Sequence, residues 1–319
     1  MNYFCKTILS GVFAFVSLVL CGAAAHDPAA EAAKLKGTKI TISESDIKEL
    51  GMKFEVIEVK VPNLKKEYDF IFISDLHVMA DDASELAANR KSAMIYRRDK
   101  HFNNPHTNMR PLHVWQKLPA LLNKSNADAV FFAADMCDTG SIANISALRD
   151  GMKQVKIPFV YTREDHDASA WNLISKDVSK QNAVNAEIDG YPPFKIIEYD
   201  DLIIFAHSRS LWHTKEPVLG AFGKVCAGNK PVIVVQHCPI VKPGLKEWQK
   251  RHVWNGKIKP GHGTLKYMDL LHKPDGNARL IVSGHSHCSA DFMLTPTLRS
   301  HIFDAAFKGF YGIIKIRKQ

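Results

Sequence analysis

Long apolar runs, paired cysteines and internal repeats are scarce in this 319-residue chain, and each scarcity removes a class of protein. Beyond the first 25 residues no apolar run approaches the roughly 20 residues of a membrane-spanning helix, so no transmembrane segment is expected in the mature chain. Two of the six cysteines, Cys5 and Cys21, fall in those first residues. Cys137, Cys226, Cys238 and Cys288 are then too few for a disulfide framework, and no thiolate pair has the spacing of a structural zinc site. No fixed-period similarity marks a solenoid, coiled coil or collagen. Acidic residues are in deficit, 33 against 42 basic ones, for a net charge of +9. That balance favours anionic partners such as phosphate compounds. Basic residues are scattered apart from a denser stretch, Arg90 to Arg110, so nucleic acid is permitted but not indicated.

What is present is an ordinary globular composition, 46% apolar and 24% charged, enough to bury a full core. Residues 1–25 read as a secretory signal: Lys6 precedes the apolar run Val12 to Leu20, and Ala23-Ala24-Ala25 offers a small-residue cleavage site. Export, into the medium or a periplasm, is the expectation. Lipoprotein anchoring at Cys21 ranks second, because Leu20 is large for the position before such a cysteine. Residues 26–53 read as an N-terminal linker, and 54–319 as one domain.

Phe54 to Val61 has the pattern of a strand or hairpin edge. Phe70–Ile73, Ala129–Ala133, Pro158–Tyr161, Val232–Val235 and Leu280–Val282 are continuous apolar runs of buried-strand type. Helical spacing covers Pro111 to Asn123, with Pro119 as a point for a kink, and Ser141 caps a helix towards Val155. Phe194–Glu198 and Leu202–Ala206 read as a hairpin about Asp200-Asp201, and closing strands fall near His301–Phe303 and Tyr311–Ile316. The pattern suggests α/β layering in the first half and a second sheet in the second. Residues 78–110 and 240–272 are long irregular stretches leaving ligand-bearing strand ends, so they are expected to wall a cleft, with Trp248, Lys250 and Trp254 as lining candidates.

Five of the apolar runs end in Asp, His or both, at the strand edge where α/β sheets bind ligands. Carboxylate oxygens and imidazole nitrogens suit hard or borderline divalent ions. The series Asp75-Leu76-His77, Asp135-Met136-Cys137-Asp138, Asp165-His166-Asp167, His237-Cys238-Pro239 and Gly284-His285-Ser286-His287 resembles the calcineurin-like metallophosphoesterase superfamily, over roughly residues 68 to 316. One such motif is weak evidence; five in order are strong.

The resemblance implies a four-layer αββα sandwich, two mixed β-sheets flanked by helices. It also implies two divalent ions, of manganese, iron or zinc. Asp75, His77 and His287 would hold one ion, Asp135 would bridge, and Asp165, His237 and His285 would hold the other. His166 would contact phosphate and protonate the leaving oxygen, while Asp138 and Asp167 would orient histidines. The implied reaction is attack of a metal-bridging hydroxide on a small phosphomonoester or phosphodiester. Arg163 and Arg209 are candidates for the charge on the equatorial oxygens.

Two departures stand out. Ala134 replaces the glycine before the bridging aspartate, a mild change, and Glu164-Asp165 replaces Gly-Asn. Glu164 removes the backbone freedom of glycine, and Asp165 adds a charge, so a metal-binding sensor with a catalytically weak site is the alternative to the enzyme. An exported nuclease is supported by charge alone. His207, His213, His252, His262, His272 and His301 take structural or surface roles, and Asp200 and Asp304 belong to turns and solvent. The cysteines beside the motifs read as buried packing residues, against a possible Cys238–Cys288 disulfide. No pattern speaks to oligomeric state.

Overall fold

A computed structural model describes residues 26–319 apart from 169–171, 175–178, 190–191, 209–213, 215, 241–261 and 274. The secretory signal expected over residues 1–25 lies outside the described residues. So do Arg209, His213, Trp248, Lys250, His252 and Trp254.

The apolar runs are continuous because their strands are covered on both faces. In β2 (Tyr68–Ile73) every residue is buried. Its Phe70 and Phe72 enter one apolar cluster, and Ile71 and Ile73 another. β3 (Ala129–Ala133) repeats this alternation, with Phe131 in the first cluster and Val130 and Phe132 in the second. Period-2 geometry sends neighbouring side chains to opposite sides, so each sheet needs a layer on either face.

The first sheet has the order β1-β11-β2-β3-β4, with β1 Lys53–Val61, β4 Phe159–Thr162 and β11 Phe310–Lys318. The second has the order β5-β6-β7-β8-β10-β9. Its strands are β5 Phe194–Glu198, β6 Ile203–His207, β7 Val232–Val235, β8 Ala278–Ser283, β9 Ala290–Met293 and β10 Arg299–Ile302. Both sheets are mixed: β11 runs antiparallel to β2, and β5 and β9 are antiparallel to their neighbours. Phe70, Phe131, Ile233, Val235, Leu280, Val282 and Ile314 fill the space between the sheets. α1 (Pro28–Lys34), α2 (Glu44–Leu50), α4 (Pro111–Lys124) and α5 (Ile142–Met152) flank the first sheet. α8 (Val218–Cys226) and α9 (His262–Leu271) flank the second through Phe222 and Tyr267. This is the four-layer αββα sandwich.

Several expectations are refined. The closing strand β11 returns to the first sheet, between β1 and β2, because Ile313 serves the outer cluster and Ile314 and Ile316 the inner one. β1 is an edge strand, as its pattern suggests, but it pairs in parallel with β11 rather than in a hairpin. Residues 26–53 pack as two helices rather than lying as a linker. Ile47 and Leu50 are buried in the outer cluster, and Glu31 accepts the Phe54 N–H at 2.6 Å, fastening α1 to the start of β1. α4 runs unbroken through Pro119. Ser141 caps α5 by accepting from Asn144 N.

The stretch 78–110 is irregular at its two ends but not in its middle. It forms α3 (Ala88–Tyr96) and continues into a π-helical turn, Arg97–His101. Two further helices, α6 (Asp165–Ala168) and α7 (Ser179–Asp189), follow β4, and Glu187 of α7 meets Arg149 of α5.

Gly312 in β11 lies under the buried ring of Phe303, where an added Cβ would come within 2.6 Å of Cε1. Gly312→Ala is expected to destabilise the fold by about 1–3 kcal/mol through overpacking. Urea unfolding with an unchanged m-value would measure it.

Candidate metal centre

The C-terminal ends of β2, β3 and β4 in one sheet, and of β7 and β8 in the other, supply the ionisable groups. Just beyond the ends of β2, β3 and β8 the backbone turns left-handed. Asp75, His77, Ala134, Asp135, His285 and His287 all have positive φ, from +49° at Asp135 to +70° at His285. Each non-glycine residue in that region costs about 1–2 kcal/mol. Hydrogen bonds between the loops offset this cost. Asp75 N donates to Ala134 O (3.1 Å), His77 N to Asp135 O (3.0 Å) and Gly284 N to His237 O (3.1 Å). Glu164, where loss of glycine was expected to matter, is not among the positive-φ residues; Ala134, at +63°, is the replacement that carries the strain.

Among the described residues three groups of potential donor atoms result, each with its atoms within 4.8 Å of one another. They are Asp75, His77 and His287; Asp135, His237 and His285; and His77, Asp138 and His166. The Nε2 atoms of His77 and His287 are 3.3 Å apart, and His287 Nε2 lies 3.1 Å from Asp75 Oδ1. His237 Nδ1 faces the Ala133 carbonyl at 2.7 Å, which leaves Nε2 turned towards Asp135 Oδ2, 3.1 Å away. Of the sequence-derived set, Asp75, His77, Asp135, His237, His285 and His287 thus come together. The Asp165 side chain lies outside the described residues, though its backbone opens α6 beside His166.

Burial would push Asp75 upward, but His237 and His287 hold it below the usual carboxylate range. Asp135, likewise opposed by burial, is held well below that range chiefly by His237 and His166. Burial draws His166 down, yet Asp135 and Asp138 raise it to about 9. Burial and the neighbouring His237 depress His285 to about 4. Asp167 is pushed up to about 7 by burial and Asp135.

A divalent ion fits these residues. Asp135 Oδ1 is buried and makes no hydrogen bond, a situation that costs about 1–3 kcal/mol unless another partner is supplied. Oxygen and imidazole nitrogen are the donors that Mn, Fe and Zn accept.

Asp138 lies beneath the histidines, fully buried, with Oδ1 3.2 Å from both His77 Nδ1 and His166 Nδ1. Asp167 accepts from Cys137 N at 2.8 Å, bracing the loop after β3. Arg163 is buried rather than presented at the surface, and its charge acts on Asp167. No disulfide joins Cys137, Cys226, Cys238 and Cys288.

Sequence reading missed the residues that frame this cluster. Phe102, from the 78–110 stretch, stacks on His77 with ring centroids 4.2 Å apart and planes 4° from parallel. Arg97 donates to both oxygens of Asp138. Phe307 packs edge-on against His77 and His287. Lys308 donates to the His287 carbonyl and pairs with Asp304, a residue assigned to solvent from sequence. The one available signal was the dense basic stretch containing Arg97. The other elements reach the centre through long-range packing, which no local pattern encodes.

The 78–110 stretch is also anchored on its far side. Ala87 N donates to Asn172 O and Ile174 N to Glu85 O, joining it to the chain beyond His166. It therefore flanks the centre, reaching it through Arg97 and Phe102. The centre opens between Arg97, His166 and His287, whose side chains keep 33%, 32% and 33% of their surface exposed.

The family model for calcineurin-like phosphoesterases matches residues 68–289. No curated protein matches the chain. Solved structures that the chain matches include a dimetal phosphatase from Danio rerio, at 9% identity and TM-score 0.44, covering 76% of this chain and 88% of that one. A purple acid phosphatase from yellow lupin seeds is 10% identical, TM-score 0.42, covering 79% of this chain and 45% of that one. The phosphopantetheinyl hydrolase of Mycobacterium tuberculosis is 10% identical, TM-score 0.41, covering 77% and 92%.

An added Cβ at Gly284 would collide with Ser74 Oγ and Asp75 Oδ2. Gly284→Ala should displace Asp75 and lower the bound divalent metal by one ion per chain, with the second ion retained. Elemental analysis after gel filtration would read this. Two retained ions would show that the close approach at Gly284 is dispensable.

Proposed function

The chain belongs to the calcineurin-like phosphoesterase family, and from that premise we propose that it is an exported hydrolase of a small phosphomonoester or phosphodiester, with His166 as its general acid. It is a metal-dependent phosphoric ester hydrolase with a divalent dimetal site. The proposal extends to the residues, the substrate and the compartment.

Asp75, His77 and His287 would hold one ion, and His237, His285 and Asp165 the other, with Asp135 between them. Manganese, iron and zinc suit the donors best. Bound there, the two ions supply Lewis-acid activation of water and neutralise charge on the phosphoryl oxygens. In the metal-free chain, acidic neighbours outweigh burial and hold His237 well above its ordinary pKa. Ligation needs that nitrogen deprotonated, so metal uptake should release protons.

The observation that carries the reading is the setting of His166. Its Nδ1 is held by the Asp138 carbonyl at 2.9 Å and lies 3.2 Å from the Asp138 carboxylate. That leaves Nε2 as the ring atom turned to a substrate in the open part of the cleft. In the metal-free chain burial draws the ring down but Asp135 and Asp138 raise it to about 9, so it carries its proton at neutral pH there. As water oxygen bonds to phosphorus and the ester P–O bond breaks, His166 can pass the Nε2 proton to the departing oxygen. A metal-binding protein with little turnover is the second reading. It is favoured by Glu164, which is buried and adds negative charge near His237.

Purified mature protein should hydrolyse chromogenic mono- or diesters when loaded with Mn, Fe, Zn, Co or Ni, and lose turnover to a chelator. His166→Ala should lower kcat about 100- to 10,000-fold, the usual contribution of a positioned acid, while still binding two ions. Two bound ions without turnover under every metal and substrate would favour the second reading.

A further inference from the structure

We infer that Arg97 is a positioning residue for the hydrolytic reaction, fixing Asp138 and, through it, the ring of His166. The inference rests on the proposed role of His166.

Local backbone geometry brings Arg97 to this place. Residues 97–101 form a π-helical turn, and Phe102 N donates to Arg97 O at 3.1 Å. In an α-helix, positions five apart point to well-separated directions. The wider π turn instead brings them into register. The Arg97 guanidinium consequently lies 4.7 Å from the Phe102 ring centroid, and the other contacts of that ring include His77. Arg97, Phe102 and His77 form one packed group, and the chain that makes it lies outside the five ligand motifs.

From there the guanidinium makes a two-pronged contact, Nε to Asp138 Oδ2 at 2.8 Å and Nη2 to Oδ1 at 2.5 Å. A fork that engages both oxygens fixes the plane of a carboxylate, which a single hydrogen bond does not. Asp138 has no exposed surface, so its orientation is set by these partners. Its Oδ1 also lies 3.2 Å from His77 Nδ1 and from His166 Nδ1. Rotation of the carboxylate would withdraw that oxygen from both rings. His77 has two further restraints, the ring of Phe102 and contact with Phe307. His166 is a third exposed, and its Nδ1 rests on Asp138 alone, the carboxylate at 3.2 Å and the backbone carbonyl at 2.9 Å. Loss of Arg97 should therefore disturb His166 more than the ligand His77.

Loss of general-acid help penalises substrates in proportion to the basicity of the departing oxygen. A generally loosened fold does not discriminate in this way. The test compares Arg97→Met, Arg97→Lys, His166→Ala and Arg110→Met in the full mature chain, loaded with zinc. Arg110 pairs with Asp81 elsewhere on the same stretch and controls for its anchoring. With alkyl phosphate esters, Arg97→Met should lose about 10- to 100-fold in kcat, a part of the full general-acid effect. With nitrophenyl esters the loss should be several-fold at most. KM and metal content should stay near wild type, and Arg97→Lys should recover only part of the loss, because an ammonium cannot form the fork. Arg110→Met should leave the leaving-group dependence unchanged. Equal losses for both ester classes, or a raised KM with unchanged kcat, would overturn the inference.

A second readout needs no turnover. In ¹⁵N-histidine-labelled, zinc-loaded protein, the His166 ring Nδ1–H, assigned by its absence in His166→Ala, should be slow to exchange. It should exchange faster in Arg97→Met and more slowly again in Arg97→Lys. Unchanged exchange in Arg97→Met would refute positioning. If wild-type protein hydrolyses nothing, the hydrolase reading fails, and this signal still decides the role of Arg97.

Discussion

Buried negative charge is the constraint on which the rest of the centre depends. Asp75, Asp135, Asp138 and Asp167 lie close together with almost no contact with solvent. Isolated carboxylates in such surroundings would take up protons rather than stay charged. Three of the four are instead held below the usual carboxylate range by facing histidines and by Arg97. Asp167, with fewer compensating partners, rises to about 7. The centre thus separates carboxylates that stay ionised from one that is near neutrality. Cations at the histidine–carboxylate groups would complete the same compensation with charge that does not titrate.

Concentrating those groups requires a backbone that reverses abruptly at the ends of β2, β3 and β8. The sandwich permits this because two sheets bring their C-terminal edges together, β2 and β3 from one side and β7 and β8 from the other. Left-handed residues turn the side chains inward, and the loops hydrogen-bond one another across the seam. Strain at Asp75, His77, Asp135, His285 and His287 is therefore borne by the same residues that furnish the chemistry, as is common where a rigid scaffold over-determines a site. The hydrophobic layer beneath supports the arrangement: Phe72, Ala133, Val235 and Val282 of the inner cluster sit at the strand ends just below the turns.

Much of this was legible because strand alternation and motif order are local properties. Phe70–Ile73 and Ala129–Ala133 announce buried strands, and the residues that follow them announce the donors. The return of β11 into the first sheet was not legible, because pairing partners are chosen by long-range burial. Nor was the packing of residues 26–53, where short helices gain their stability from Ile47 and Leu50 against the outer cluster rather than from their own propensity. Ala134 and Glu164 show the limit most clearly. Both depart from glycine in the motif pattern, but only the backbone geometry distinguishes the position that needs φ > 0 from the one that does not.

The 78–110 stretch shows why composition alone misleads at such places. Its arginines read only as a dense basic stretch, and Arg98 pairs with its neighbour Asp99. Arg97, one residue earlier, points inward because the helix widens at that residue. A one-residue difference in phase separates a surface ion pair, worth little in water, from a fork on a fully buried carboxylate. The same turn places Phe102 against His77. Variation in this stretch can therefore reach the reactive groups without altering a single ligand, since the support of His77 and His166 passes through chain outside all five motifs.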